Sequence, residues 1–415
     1  MKILIFGLNY APELIGTGKY TGELGAWLSE HNHEVRVICA PPYYPDWSVN
    51  AGYNSWSYRF EDENGVKIFR CPLYVPKKPN VFLRLLHLIS FSVSSMPLLF
   101  FHVFWKPNIV ITIEPTLFCG PGTLLLAKLS GAKSLLHIQD FELDAMLKLE
   151  MGKHGFFTRL GYKIESWIMR NFDAVSTISH SMVKSAKNKL NGLNTPIFYF
   201  PNWVDVDYIR PSMDDDFFRQ KWGVSADKKV VIYSGNLGEK QGLEMVLEAA
   251  SRLSSDEDVI FLLVGSGAAK DRLINLARQM GLTNVEFHPV QPYHQLPALM
   301  AIGDIFLVVQ KKGVADAVLP SKLTTILAAG KNALITAEKE TELGLLCDQY
   351  PGIAKRVVPD DPGSFTHALE EMLQEINTKN SNINQVARKY AENFLDKEKA
   401  LGDFSRNLNL LVAKN

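Results

Sequence analysis

Short apolar runs recur along the chain, each closed by a polar or glycine-bearing turn and followed by a stretch whose apolar positions repeat every three to four residues. That alternation predicts strand, loop and helix in repeated βα succession. In the first half the strands fall at residues 2–8, 34–38, 109–113, 134–138, 174–178 and 197–200, and the first helix carries Tyr20, Leu24, Trp27 and Leu28 on one face. In the second half strands fall at 229–234, 259–265, 285–289, 305–309, 333–336 and 354–358, with helices at 242–253 and 270–280 between them. Short apolar strands separated by helical segments make parallel sheets, so the pattern predicts two Rossmann-like α/β domains. A proline-containing, acidic stretch over residues 201–221 is the predicted linker, and the chain ends in an amphipathic segment with Leu401, Phe404, Leu408 and Leu411.

Length and composition narrow the class. At 415 residues the chain is large enough for two cores, and 47% hydrophobic with 21% charged residues is a globular make-up. Lys and Arg number 44, as do Asp and Glu, so no net charge recruits nucleic acid. Cys39, Cys71, Cys119 and Cys347 lie far apart, with no CxxC and no histidine pair at ligand spacing, which predicts free thiols and no structural zinc. Residues 3–8 are too short an apolar run for a signal peptide, since Asn9, Pro12 and Glu13 follow at once. The run 81–105 is longer, has Arg84 and Lys106 near its ends, and is broken by His87, Pro97 and several serines. Amphipathic helices covering a sheet are the favoured reading; a surface dipping into a membrane interface is the functional alternative, and a transmembrane span is disfavoured.

The candidate chemistry lies where the predicted strands end. Gly16, Thr17 and Gly18 follow the first strand, at the edge where α/β folds bind ligands, although Thr21 breaks the full dinucleotide fingerprint. The aromatic, proline-stiffened loop APPYYPDW follows the second strand and suits sugar rings as well as it suits a merely rigid turn. His137, Asp140, Glu142 and Asp144 gather after another, which raises the odds of a catalytic group above those of a lone core histidine. Between 305–309 and 333–336 lies GVADAVLPSKLTTILAAG, in which Pro320, Ser321, Lys322 and Leu323 open a helix that ends at Gly330. The amides of such a helix start form an anion site, though any α/β domain could show the same punctuation.

At these residues a family resemblance appears. GTGKYTGELGAWLSEHNHEVRVI, FPNWVD, YSGNLGEKQGLE, LLVGSGAAKDRL and LPSKLTTILAAGK resemble the retaining, GT-B-fold glycosyltransferases of family 4. APPYYPDW, CPLYVPK, LLHLISF, LHIQDFELDAM and VVQKKGVADAVLPSKL are most similar to the WcaI-like enzymes of colanic-acid exopolysaccharide synthesis. The resemblance covers nearly the whole chain. It implies two facing Rossmann-like domains, 1–202 for the acceptor and 203–384 for the nucleotide-sugar donor, with a helix at about 385–415 returning to the first. It also implies sugar transfer with retention, no metal or other cofactor, and a polyprenyl-diphosphate-linked acceptor at the inner face of the cytoplasmic membrane, reached through residues 81–105. GDP-fucose is the suggested donor, because colanic acid is fucose-rich.

Carried over by position, His137 faces donor sugar and acceptor, with Asp140 and Glu142 beside it. Gly235 and Asn236 stand where the family has Gly-Arg, Lys240 is one residue early relative to Gly242, and Gly265 sits in the VGSG motif. A diphosphate leaving without a metal still needs cations, for which Lys240, Lys311 and Lys322 are the candidates. The two family glutamates would fall at Ala317 and Thr325, so Asp316 is expected to replace the first and Thr325 to hydrogen-bond the ribose. Their loss keeps two alternatives open: a catalytically silent nucleotide-sugar or glycan-binding subunit, and a GT-B sugar-nucleotide epimerase.

Overall fold

The computed structural model describes the chain except residues 14–15, 142, 145–155, 191, 213–215, 255–257, 314–317, 379–382 and 414–415. It divides into two compact units, Met1–Phe200 with Leu401–Asn415, and Pro201–Ala400.

The first unit begins β1 (Lys2–Gly7), α1 (Gly16–Glu30), β2 (Glu34–Cys39), β3 (Arg59–Glu63), β4 (Val66–Arg70) and α2 (Val81–Trp105). It continues β5 (Ile109–Glu114), α3 (Gly120–Ser130), β6 (Lys133–Ile138), α4 (Phe156–Asn171), β7 (Ala174–Thr177), α5 (His180–Leu190) and β8 (Ile197–Tyr199). The sheet order is β3-β4-β2-β1-β5-β6-β7-β8, parallel except for β3 against β4. The central strands are buried on both faces, as their continuous apolar runs require. The β3–β4 hairpin is an addition to the expected strands, and its signal was Asn64-Gly65, a turn whose residues sit at φ 54° and 72°. Residues 81–105 form a single helix, capped by the Asn80 side chain, which accepts the Leu83 N–H at 2.8 Å. Leu88, Phe91, Leu98 and Leu99 of that helix share a core with Leu4, Phe6 and Val110 of the sheet.

The second unit contains α6 (Asp216–Trp222), β9 (Lys229–Asn236), α7 (Glu244–Arg252), β10 (Val259–Ser266), α8 (Lys270–Gln279), β11 (Val285–His288) and α9 (Leu296–Ile302). It closes with β12 (Ile305–Val308), α10 (Ser321–Ala328), β13 (Asn332–Thr336), α11 (Glu342–Gln349), β14 (Lys355–Val357), α12 (Pro362–Thr378) and α13 (Gln385–Tyr390). All pairings in the order β11-β10-β9-β12-β13-β14 are parallel. In each sheet the strand order reverses beside the first strand of its unit, at β1/β5 and at β9/β12, and such switch points open a crevice at the strand carboxyl ends.

The last helix, α14 (Lys397–Ala413), returns to the first unit: Leu401, Phe404, Leu408 and Leu411 are buried, and Phe404 stacks on Phe200 at 3.9 Å. The return starts later than residue 385. Ala387, Tyr390 and Leu395 belong to the core of the second unit, and the Arg388 guanidinium donates there to the carbonyls of Val206, Ile209 and Ala328 at 3.0, 3.0 and 2.6 Å. An apolar face next to one arginine with three carbonyl partners holds that segment to the second unit.

Candidate functional site

The first unit builds its switch point from two loops held together by buried charge. Along α1, a methyl group at Gly18, Gly22 or Gly25 would lie 2.4, 2.7 or 2.6 Å from Glu13, Ala11 or Tyr10. This row of glycines lets the loop after β1 lie on the helix, so Gly18 serves packing and does not open toward a phosphate. Glu13 is 4% exposed; its Oε1 accepts the N–H groups of Tyr43 and Tyr44, each at 3.1 Å, and its Oε2 accepts from the Asn9 amide at 2.9 Å. Burial pushes its carboxyl above the usual range, against the pull of those donors. Arg70, equally buried, donates to the carbonyls of Ala11 at 2.7 Å and Ala40 at 3.0 Å, and pairs with Glu61 at 2.6 Å. Glu13 and Arg70 thus tie the glycine loop to the aromatic loop. Sequence reasoning passed over both; an acid two residues past the first strand's turn and an arginine ending a strand were the available signals.

The loops enclose a cavity of about 320 Å³ lined by Gly16, Thr17, Tyr43, Tyr44, Trp47 and Asp140, among others. Arg84 enters it over the Trp47 ring at 5.3 Å, and His87 accepts from the Tyr43 hydroxyl at 3.0 Å while donating to the Tyr74 carbonyl at 2.6 Å. Burial lowers the His87 pKa to about 4, so it is neutral. Aromatic walls with one cation and one carboxylate suit a sugar, whose C–H faces pack on rings while its hydroxyls bond to charged groups.

The expectation that His137 faces substrate is corrected. It is 2% exposed, its Nδ1–H donates to Ser176 at 2.9 Å, and its Nε2 accepts from the Gln139 amide at 2.9 Å. Burial lowers its pKa to about 3, so it is a neutral core group that orients Gln139, next to Asp140. Among the described members of the acidic cluster, Asp140 is the one that reaches the cavity. Asp144 instead pairs with Lys189 at 3.2 Å, which also holds Glu165 at 2.5 Å. Glu142 and Asp316 lie outside the described residues.

In the second unit the candidates assemble at the ends of β9, β10 and β12. A methyl on Gly265 would lie 1.9 Å from the Gly235 carbonyl oxygen, so the two strand ends approach as only glycine permits; Gly265 is a packing residue. Gly235 itself has φ 148° and lies beside the Lys322 ammonium. Lys322 donates to the Tyr233 hydroxyl at 3.0 Å and sits over that ring at 4.3 Å, and Tyr233 donates in turn to the Asn236 carbonyl at 2.7 Å. Tyr233, which sequence reasoning missed, therefore aims the lysine along the edge. Lys311 runs its aliphatic chain across Gly242, and its amide donates to the Lys240 carbonyl at 2.9 Å. Lys311 thus takes the place beside Gly242 that the early position of Lys240 leaves. Arg272 also reaches this loop but is engaged by Glu239 at 2.8 Å and Glu244 at 2.5 Å.

At the start of α10, Pro320, Ser321 and Lys322 lie where the helix amides begin. Leu323 is corrected as a ligand-binding residue: its side chain is fully buried and its N–H donates to the Pro320 carbonyl at 2.9 Å. The Thr325 hydroxyl turns back on its own helix, donating to the Ser321 carbonyl at 3.2 Å.

A cation-bearing edge on one parallel sheet and an aromatic cavity on another, with the last helix returning to the first unit, define the class of GT-B-fold glycosyltransferases. A family model described as a glycosyl transferase 4-like domain matches residues 16–203, and one described as glycosyl transferases group 1 matches residues 214–390. The chain belongs to this glycosyltransferase family and is an enzyme of that class. It is 51% identical over 415 residues, 98% of this chain and 100% of the other, to the Escherichia coli (strain K12) protein named as colanic acid biosynthesis glycosyl transferase WcaI. Among solved structures it resembles the sucrose-phosphate synthase of Thermosynechococcus elongatus, with TM-score 0.74, 16% identity and 100% of both chains covered. Anabaena HepE in complex with UDP-glucose gives TM-score 0.67 at 13% identity over 99% of each chain. At such identities the two structures attest the fold alone.

Proposed function

We propose that the chain transfers a sugar, with retention at the anomeric carbon, from a nucleotide-sugar to a polyprenyl-diphosphate-linked glycan in colanic-acid-type exopolysaccharide synthesis, at the inner face of the cytoplasmic membrane. The observation that carries this reading is the full-length, 51% identity to a protein named for that synthesis. GDP-fucose is the first donor to test. The diphosphate would lie on the Gly235 edge of the second unit, where Lys322 and Lys311 offset the charge that develops as the glycosidic bond breaks. Backbone amides at the start of α10 add to that field. In the first unit Asp140 would orient the acceptor hydroxyl, whose proton passes to the departing phosphate, so a separate strong base is not needed. No metal takes part in this scheme.

The test is thermal shift and turnover with GDP-fucose, GDP-mannose, UDP-glucose, UDP-galactose and UDP-glucuronate, using the wild type beside Lys322→Ala and Asp140→Asn. One donor should stabilise the protein and be consumed, Lys322→Ala should lose its binding, and Asp140→Asn should lose turnover while keeping it. A donor that binds but is never consumed with lipid-linked acceptors would indicate a binding subunit. Conversion of a donor without acceptor would indicate an epimerase.

A further inference from the structure

Helix α2 is apolar on both faces: Leu88, Phe91, Leu98 and Leu99 enter the core, and a second apolar stripe faces away from it. Positions 82, 86, 89, 93, 97, 100 and 104 form one stripe at helical spacing, and the stripe is apolar throughout. That stripe is the outward one: each of its positions is exposed, Phe104 to 86%. The polar residues point inward. Ser90 accepts the Tyr74 N–H at 3.0 Å, Ser94 donates to the Pro72 carbonyl at 2.6 Å, and Ser92 donates to the Phe118 carbonyl at 2.8 Å. A helix that only covered a sheet would carry polar residues on its outward stripe.

The apolar surface continues beyond α2. A narrow groove between α2 and α3 is lined by Met96, Phe100, Leu125 and Leu129, the last three of them exposed. At the start of α3, a methyl on Gly120 would meet Ile168 of α4 at 2.6 Å. On α4 the flank next to Ile168 carries Leu160, Ile164 and Trp167, all exposed, Trp167 to 59%. Charge follows the same division. Neither α2 nor α3 contains an acidic residue, and the acid of α4, Glu165, is buried against Lys189. Lys106, Lys128, Arg159, Lys163 and Arg170 are exposed on or beside these helices.

We infer that α2, α3 and α4 form one docking face that lies in the plane of an anionic phospholipid bilayer. Exposed aromatic and aliphatic side chains enter the boundary between headgroups and acyl chains, and the cations meet lipid phosphates. A second copy of the chain is a poor occupant, because a self-complementary interface would set cations against cations. Among the described residues α2 is the helix long and apolar enough to span a membrane, yet its Leu88, Phe91, Leu98 and Leu99 are committed to the core, which keeps it in the plane. Arg84 and His87, in the first turns of this helix, also line the cavity of the first unit. A lipid-linked sugar would thus reach that cavity without its chain leaving the bilayer; this link rests on the proposed acceptor.

Flotation of the full chain with vesicles tests the inference. Wild type should float with phosphatidylcholine–phosphatidylglycerol vesicles and not with phosphatidylcholine alone, and added salt should release it. Lys128→Ala and Lys163→Ala should each lower partitioning about fivefold. The Leu129→Glu/Trp167→Glu pair, outside α2, should abolish flotation while leaving the melting temperature and turnover with a detergent-dissolved acceptor intact. Unchanged flotation of that pair would overturn the three-helix face, as would equal binding to neutral vesicles or a lipid-free dimer that the same pair dissociates. Loss of flotation in the wild type with turnover intact would break this inference alone; normal flotation with no turnover of any donor would break the proposed function alone.

Discussion

The two units share an architecture and differ in what they place at the same edge. At the β1/β5 crevice the first unit buries Glu13 and Arg70 under its loops and presents rings, one arginine and one carboxylate. Beside the β9/β12 crevice the second unit brings glycine backbones together at the ends of β9 and β10 and presents lysines directed by Tyr233 and by the strand-end loop. The same switch-point arrangement therefore yields one edge suited to a neutral, ring-shaped ligand and one suited to an anion. The distinction lies in side chains that follow the strands, since the strands only set where those side chains arrive.

The comparison is sharpest under acid. His87, His102 and His137 all lie in the first unit, and burial lowers their pKa values from 6.5 to about 4, 4 and 3. Each folded value is below the unfolded one, so this stability is complete above pH 6.5 and is lost as pH falls toward the folded values. At pH 5 the loss should be on the order of 2 kcal/mol per histidine. Urea unfolding at pH 7 and pH 5 should show the first unit losing stability well ahead of the second. Equal losses in the two units would refute the assignment.

Gly265→Ala should strike the second unit instead, by more than about 3 kcal/mol, because the added methyl meets backbone and not a side chain that could turn away. Differential scanning calorimetry should show one transition lowered and the other kept. Next in size, Lys322→Ala should weaken nucleoside-diphosphate binding by about 2 kcal/mol, the scale of one charge-assisted hydrogen bond. Calorimetric titration would detect it, and Asp140→Asn should leave that affinity unchanged if the two edges take different ligands.

Glu13→Gln should have the smallest effect, about 1 kcal/mol, since Gln keeps an acceptor for the Tyr43 and Tyr44 amides but loses charge. It should raise KM for the acceptor with little change in kcat or in nucleotide affinity. A change confined to nucleotide affinity would show that Glu13 does not support the first-unit cavity.

Much of the fold was legible because apolar strands buried on both faces and amphipathic helices have unlike periods, and connections of about a dozen residues or more permit parallel order. The β3–β4 hairpin escaped because its outer strand is charged and exposed, as an edge strand tends to be, leaving Asn64-Gly65 as the sole mark. The site was legible in its loops but not in its individual roles. His137 and Leu323 looked like ligands of substrate because they sit in the right motifs, yet one is enclosed by Ser176 and Gln139 and the other fills the core.

By itself the sequence determined the class of fold, the positions of the strand-end loops and the residue types available there, since periodicity and turn chemistry are local properties. Tertiary structure alone decided which of those residues meet. It brought Glu13 to the amides of a loop thirty residues on, set Lys311 across Gly242, and turned the apolar stripe of α2 outward. Burial, pKa and exposure depend on neighbours distant in the chain, and no local pattern specifies those neighbours.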